Sequence, residues 1–153
     1  MRRALLLALL VLPLAACADT PLGASAETAL SADGERAYAV LRAAEFFSGD
    51  GVGIAATTPE TVRSFRVLAR ERGAEAAFAR LVAEATPEGQ LFGLVGVQTT
   101  DAARYERLAA SFRTSERPVE VMQGCIVSRV ATREAVREIE SGGLGASIRG
   151  RAR

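Results

Sequence analysis

A mainly helical fold is what this chain predicts: a bundle or short array of about five or six helices, with a small β-hairpin near the C-terminus. Three observations lead there. The chain is rich in alanine, which loses no side-chain entropy on entering a helix. Apolar residues recur at helical spacing between Ala37 and Phe112. After Arg117-Pro118 the residues become β-branched, with Val119, Val121, Ile126, Val127 and Val130 around a glycine.

Taken in order, Ala37, Val40, Leu41, Ala44 and Phe47 define the face of a first helix, broken by Ser48-Gly49-Asp50-Gly51-Val52-Gly53. Thr58-Pro59 reads as a helix start, with Thr as cap and Pro in the first turn. Val62, Phe65, Leu68 and Ala69 follow as its stripe, ended by Gly73. Ala77, Phe78, Leu81, Val82 and Ala85 mark the next helix, and Thr86-Pro87 starts another. Leu91 to Val97 suits a buried strand or a buried helix. The preceding helix start favours a helix, and Gly89, Gly93 and Gly96 then share one face. Each interior glycine costs about 1 kcal/mol, which close approach to a neighbouring helix would offset. Thr100-Asp101 opens a helix carrying Tyr105, Leu108, Ala109 and Phe112. Gln123-Gly124 is the expected hairpin turn. Thr132 is the expected cap of a short helix bearing Val136 and Ile139, ended by Gly142-Gly143. Residues 146–153 read as a frayed basic tail.

Phe78-Ala79-Arg80-Leu81 echoes Tyr105-Glu106-Arg107-Leu108, and the two Thr-Pro pairs stand at a similar offset. Two copies of a helix pair would give this pattern, and so would chance likeness between alanine-rich helices.

Residues 1–16 have the form of a signal peptide. Arg2 and Arg3 precede an apolar run from Ala4 to Leu12 that is too short to span a bilayer. Leu14-Ala15-Ala16-Cys17 resembles the lipobox of bacterial lipoprotein precursors. That resemblance implies cleavage before Cys17, diacylglycerol on its sulfur and an acyl group on the new amine. Multiple buried chains, at about 0.8 kcal/mol per methylene, anchor stably. Ala18, where an inner-membrane retention signal would show Asp, points by resemblance to the outer membrane in an organism that has one. Residues 17–32, with Pro21, Gly23 and Ser25, read as a tether, and 33–145 as a single domain. The stretch from about Phe46 to Cys125 is similar to uncharacterised bacterial envelope proteins. They share a Gly-rich turn, a Thr-Pro start, a Pro-x-Gly-Gln helix (here Pro87-Glu88-Gly89-Gln90) and a Gly-Cys (Gly124-Cys125). The resemblance implies no activity.

Composition narrows the chemistry. The chain has 153 residues and a formal net charge of +1; losing Arg2 and Arg3 brings it to −1. That balance gives no field to draw nucleic acid. All 19 basic residues are arginine and there is no histidine. Histidine metal ligands, His-containing triads, Schiff-base lysines and P-loop lysines are therefore excluded. The Gly49-x-Gly51-x-Gly53 run lacks the spacing of a phosphate loop and reads as a turn. No metal ion and no cofactor is expected, the covalent lipid apart.

Two features remain as candidate sites. Arg63, Arg66 and Arg70 align on one helix face, suited to anionic headgroups or cell-wall polymers or simply to solvent. Cys125 is the candidate free thiol; its apolar neighbours suggest burial in a strand, against the alternatives of a reactive thiol or an intermolecular disulfide. The functional expectation is a membrane-tethered interaction or scaffold domain of the cell envelope with a protein partner. The alternative is a carboxylate-dependent hydrolase of envelope polymers, which needs two close acids, one with a raised pKa.

Overall fold

The computed structural model describes residues 29–150, so Cys17, the leader and most of the tether lie outside the described residues. Within them the fold is mainly helical, with seven helices where five or six were expected. In order these are α1 (Ala32–Arg42), α2 (Glu60–Leu68), α3 (Ala74–Glu84), α4 (Pro87–Thr100), α5 (Ala102–Phe112), α6 (Thr132–Glu140) and α7 (Gly143–Arg149). The strands are β1 (Phe47–Ser48), β2 (Pro118–Gln123) and β3 (Ile126–Ala131), in sheet order β1-β2-β3.

The helix α4 forms the centre. Leu91 to Val97 are all buried, and the helix reading of this segment holds. Thr86 caps it by accepting the Gly89 N–H, and Pro87 occupies its first turn. The glycine face does what the expectation asked. A Cβ on Gly89 would lie 2.4 Å from the Leu41 carbonyl oxygen in α1. One on Gly93 would lie 2.8 Å from the Val82 nitrogen in α3, and one on Gly96 would enter the Phe78 ring. α4 therefore packs backbone to backbone on α3, while α2 packs on α1. Phe47 and Phe92 meet edge to face at 5.1 Å, and Phe65 and Phe78 stack tilted by 35° at 5.0 Å, joining these pairs into one core.

The two Thr-Pro starts are not equivalent. Pro59 itself is the N-cap of α2, and Thr58 makes no cap hydrogen bond. Gly73 does not end α2 but caps α3. Because α2 packs mainly on α1 and α3 mainly on α4, the echoed segments do not form stacked equivalent pairs. Phe47 belongs to β1, beyond the end of α1, though it is buried as expected.

Three further expectations are corrected. Thr132 does not cap α6. It is the buried first helical residue, and its hydroxyl and N–H both donate to the Arg117 carbonyl, tying the end of β3 to the start of β2. Residues 146–149 are not a frayed tail: they belong to α7, and Ile148 is fully buried. At the other end the packed domain begins before residue 33, since Ser31 caps α1 and donates from its N–H and hydroxyl to Glu71, at 3.0 and 2.7 Å.

Candidate functional site

The sheet is where the molecule leaves apolar surface uncovered. β2 carries Val119 and Val121 into the core, over Ala135, Val136 and Ile139 of α6. Its far edge pairs in parallel with β1, Phe47 opposite Val121. β3 pairs antiparallel with β2 on the other side, Gln123 opposite Ile126 and Val119 opposite Val130. Nothing among the described residues pairs with the outer edge of β3.

The turn sits one residue later than expected. With Gln123 and Ile126 as partners, the two loop residues are Gly124 and Cys125, and Gly124 takes φ +59°, which glycine adopts without strain. Cys125 is thus an exposed tip residue and a free thiol, not a buried strand residue. Its apolar neighbours misled because β3 is an edge strand: Ile126 is 69% exposed and Val127 44%. A second turn docks here. Val52 bridges to Thr57, and the Gly53 N–H donates to the Gly124 carbonyl at 2.9 Å. This brings Ile54, 99% exposed, to the same end of the molecule. Three of the four large apolar side chains left exposed among the described residues therefore belong to the β3 end and the turn that docks on it.

Beside this edge, between the hairpin and α6–α7, lies a groove of about 430 Å³. Val121, Ile126, Val130 and Leu144 supply its apolar lining, and Glu134 and Glu138 its exposed acidic rim. Glu138 has no cationic partner among the described residues, and Glu134 only a distant one in Arg133 at 3.7 Å. Neither the groove nor the rim was singled out from the sequence. The acids sit four apart on one helix, but only the fold shows that α6 runs beneath an open strand.

Of the arginine row, Arg63 and Arg70 lie exposed as the solvated-face reading expects, and only Arg66 is half-buried. Arg63 donates to the Thr58 carbonyl. Arg66 turns inward: its Nε donates to the Ile148 carbonyl and its Nη2 to that of Ser147, both at 3.0 Å, and it pairs with Asp50. The hydrogen bond from Arg66 holds the Asp50 carboxyl below the usual range. The Asp50 N–H in turn donates to the Ser147 hydroxyl at 2.7 Å. Arg66 thus neutralises the C-terminal carbonyls of α7, where a helix carries partial negative charge. Arg66, Arg70 and Arg149 line a smaller cavity of about 230 Å³ floored by Phe65 and Phe78, and Arg149 is drawn onto Gln98 at 3.0 Å. Of the row, Arg66 and Arg70 share this cavity and Arg63 does not.

Both tyrosines are structural. Tyr38 donates to Glu84 with Arg80 over its ring, and Tyr105 donates to Glu140 with Arg113 over its ring. Burial, reinforced by the neighbouring carboxylate, pushes each phenol up to about 12, so both stay protonated near neutrality. Every described carboxylate whose pKa is displaced moves down, as Glu71 and Glu84 do under hydrogen bonds from Ser31 and Tyr38. The hydrolase alternative requires an acid moved up. Among the described residues no group of three or more His, Cys, Asp or Glu side chains gathers where a metal ion would fit, and no helix is long and apolar enough to cross a membrane.

Compared with protein-family models, with curated protein sequences and with solved structures, the chain matches none.

Proposed function

We propose that this chain is a lipid-anchored protein of the bacterial cell envelope whose helical domain is an interaction module, held at the membrane by diacylglycerol on Cys17. The anchor rests on the leader and lipobox. The interaction reading rests on one observation: Ile54, Ile126 and Val127 are left exposed around an unpaired sheet edge beside an open groove. Scattered exposed apolar residues mean little, but a cluster at an open edge marks a surface that another chain covers.

Site-specific photocrosslinking in the producing cell tests this. A photoreactive residue at Val127 should give a discrete protein adduct, and one at exposed Arg107 on α5 should not. Identical patterns from both positions would refute the assignment of this surface.

A further inference from the structure

The open edge carries more than apolar surface. A two-residue hairpin closes on a pair that exchanges both backbone bonds, and bonded and non-bonded pairs then alternate. Ile126, Ser128 and Val130 therefore bond to β2, while the N–H and C=O of Val127 and Arg129 point outward. Neither residue has another backbone partner among the described residues. The edge is also unguarded. It has six residues with no proline, and its one charge, Arg129, is drawn onto Glu120 of β2 at 2.7 Å.

We propose that β3 accepts an extended segment of another protein in which basic residues alternate with apolar ones, the added strand pairing with Val127 and Arg129 and its basic side chains reaching Glu134 and Glu138. This rests on the interaction reading and names the class of partner. Side chains of an added strand that face the same way as Ile126, Ser128 and Val130 lie over the groove. Glu134 and Glu138, four residues apart on α6, are separated by about 6 Å along the helix. Alternate side chains of a strand are separated by about 6.6 Å. Two successive basic residues on the groove face thus match the two carboxylates. Their methylene stems cover Val130 and Leu144 while the charged ends reach the rim. The intervening apolar residues fall beside Val127.

A second copy of this chain fits less well. Two β3 strands paired about a two-fold axis keep the same face on the same side. Each would offer Ile126, Ser128 and Val130 to the other's groove, with no cation for the carboxylates. Arg129 would stay on the opposite face.

The test uses the full chain and the peptide acetyl-(Val-Lys)4-amide. Binding should protect the Val127 and Arg129 amides from hydrogen exchange. With the added strand antiparallel to β3, the valines lie opposite Val127 and Arg129 and their N–H groups point at β3. Methylating the valine nitrogens should therefore abolish binding, whereas methylating the lysine nitrogens should be tolerated. Glu134→Gln with Glu138→Gln should weaken binding on the order of tenfold, as loss of two exposed ion pairs does. Val127→Pro, which removes only an outward donor, should abolish it. The methylated peptides report on pairing even where a variant folds poorly. Equal binding of acetyl-(Val-Glu)4-amide, or protection confined to other elements, would overturn the proposal. So would self-association through β3 without peptide, or docking of the hairpin tip on phosphatidylglycerol vesicles that blocks the peptide. Loss of peptide binding with a Val127 crosslink retained in cells would sink strand addition and leave the interaction reading standing.

Discussion

Replacing Gly93 by alanine sets two known effects against each other at one atom. Alanine is a better helix former than glycine by about 1 kcal/mol, so on propensity alone the variant gains. The new Cβ, however, would lie 2.8 Å from the Val82 nitrogen and 2.9 Å from the Phe78 carbonyl oxygen. Both are backbone atoms of α3 and cannot rotate aside. Relief requires α3 and α4 to separate by roughly half an ångström along their shared seam, loosening contacts made by Leu81, Val82 and Phe92. Overpacking of this kind costs about 1–3 kcal/mol. The net expectation is destabilisation by about 1 kcal/mol, a loss of roughly 3–5 °C in Tm, with Gly93→Leu considerably worse. Urea unfolding at constant m-value measures it. A double-mutant cycle sharpens the case. At Gly96 the obstacle is the Phe78 side chain, so Phe78→Leu should partly relieve Gly96→Ala and leave the cost of Gly93→Ala unchanged. Gly93→Ala that melts at or above the wild-type temperature would show that the helices are not in backbone contact.

Other expectations follow from the same structure. Cys125, exposed at a turn, should react with a thiol reagent as fast in the folded protein as in the denatured one, and Cys125→Ala should shift stability by less than about 0.5 kcal/mol; slow native labelling would restore burial. Cys17→Ser should eliminate incorporation of labelled fatty acid, and equal label in both proteins would end the lipoprotein reading. Ile148→Ala should cost about 2–5 kcal/mol, because Ile148 is a fully buried anchor of α7, whereas a frayed terminus would show no change. The folded phenols ionise near 12 against about 10 when unfolded, so the unfolded chain releases its protons first. Their contribution is intact below pH 10 and lost as pH rises from 10 through 12. Ultraviolet titration showing both tyrosines ionising near 10 in folded protein would contradict this.

What was legible in the chain was local. Thr86-Pro87 and Asp101 acted as helix starts because their side chains reach N–H groups three residues on, a distance set by the helix itself. The glycines of α4 were legible because three of them in one buried helix need a common cause. Expectations failed where a distant partner decided the outcome. Thr132 gives its hydroxyl to a carbonyl fifteen residues earlier in place of capping its own helix. Ile148 packs into the core, and Arg66, on a helix far back in the chain, holds its carbonyl at the end of α7. Cys125 depended on a one-residue choice of turn, and that choice exchanges a strand residue for a loop residue. The groove was invisible because its lining comes from both strands, α6 and α7, and no sequence pattern links Ile126 with Glu138.

The grip of Glu71 on Ser31 gives the domain a mechanical property. Any pull on the chain ahead of Leu30 reaches the fold at Leu30, packed against the core, and at Ser31, whose N–H and hydroxyl are both held by that one carboxylate just past α2. Load entering there is shared at once between two helices that already pack on each other, α1 through its capped end and α2 through the turn that follows it. Glu71→Ala would remove the link to α2 and leave the load on the packing of Leu30 and the first turn of α1, so that helix would peel at a lower force.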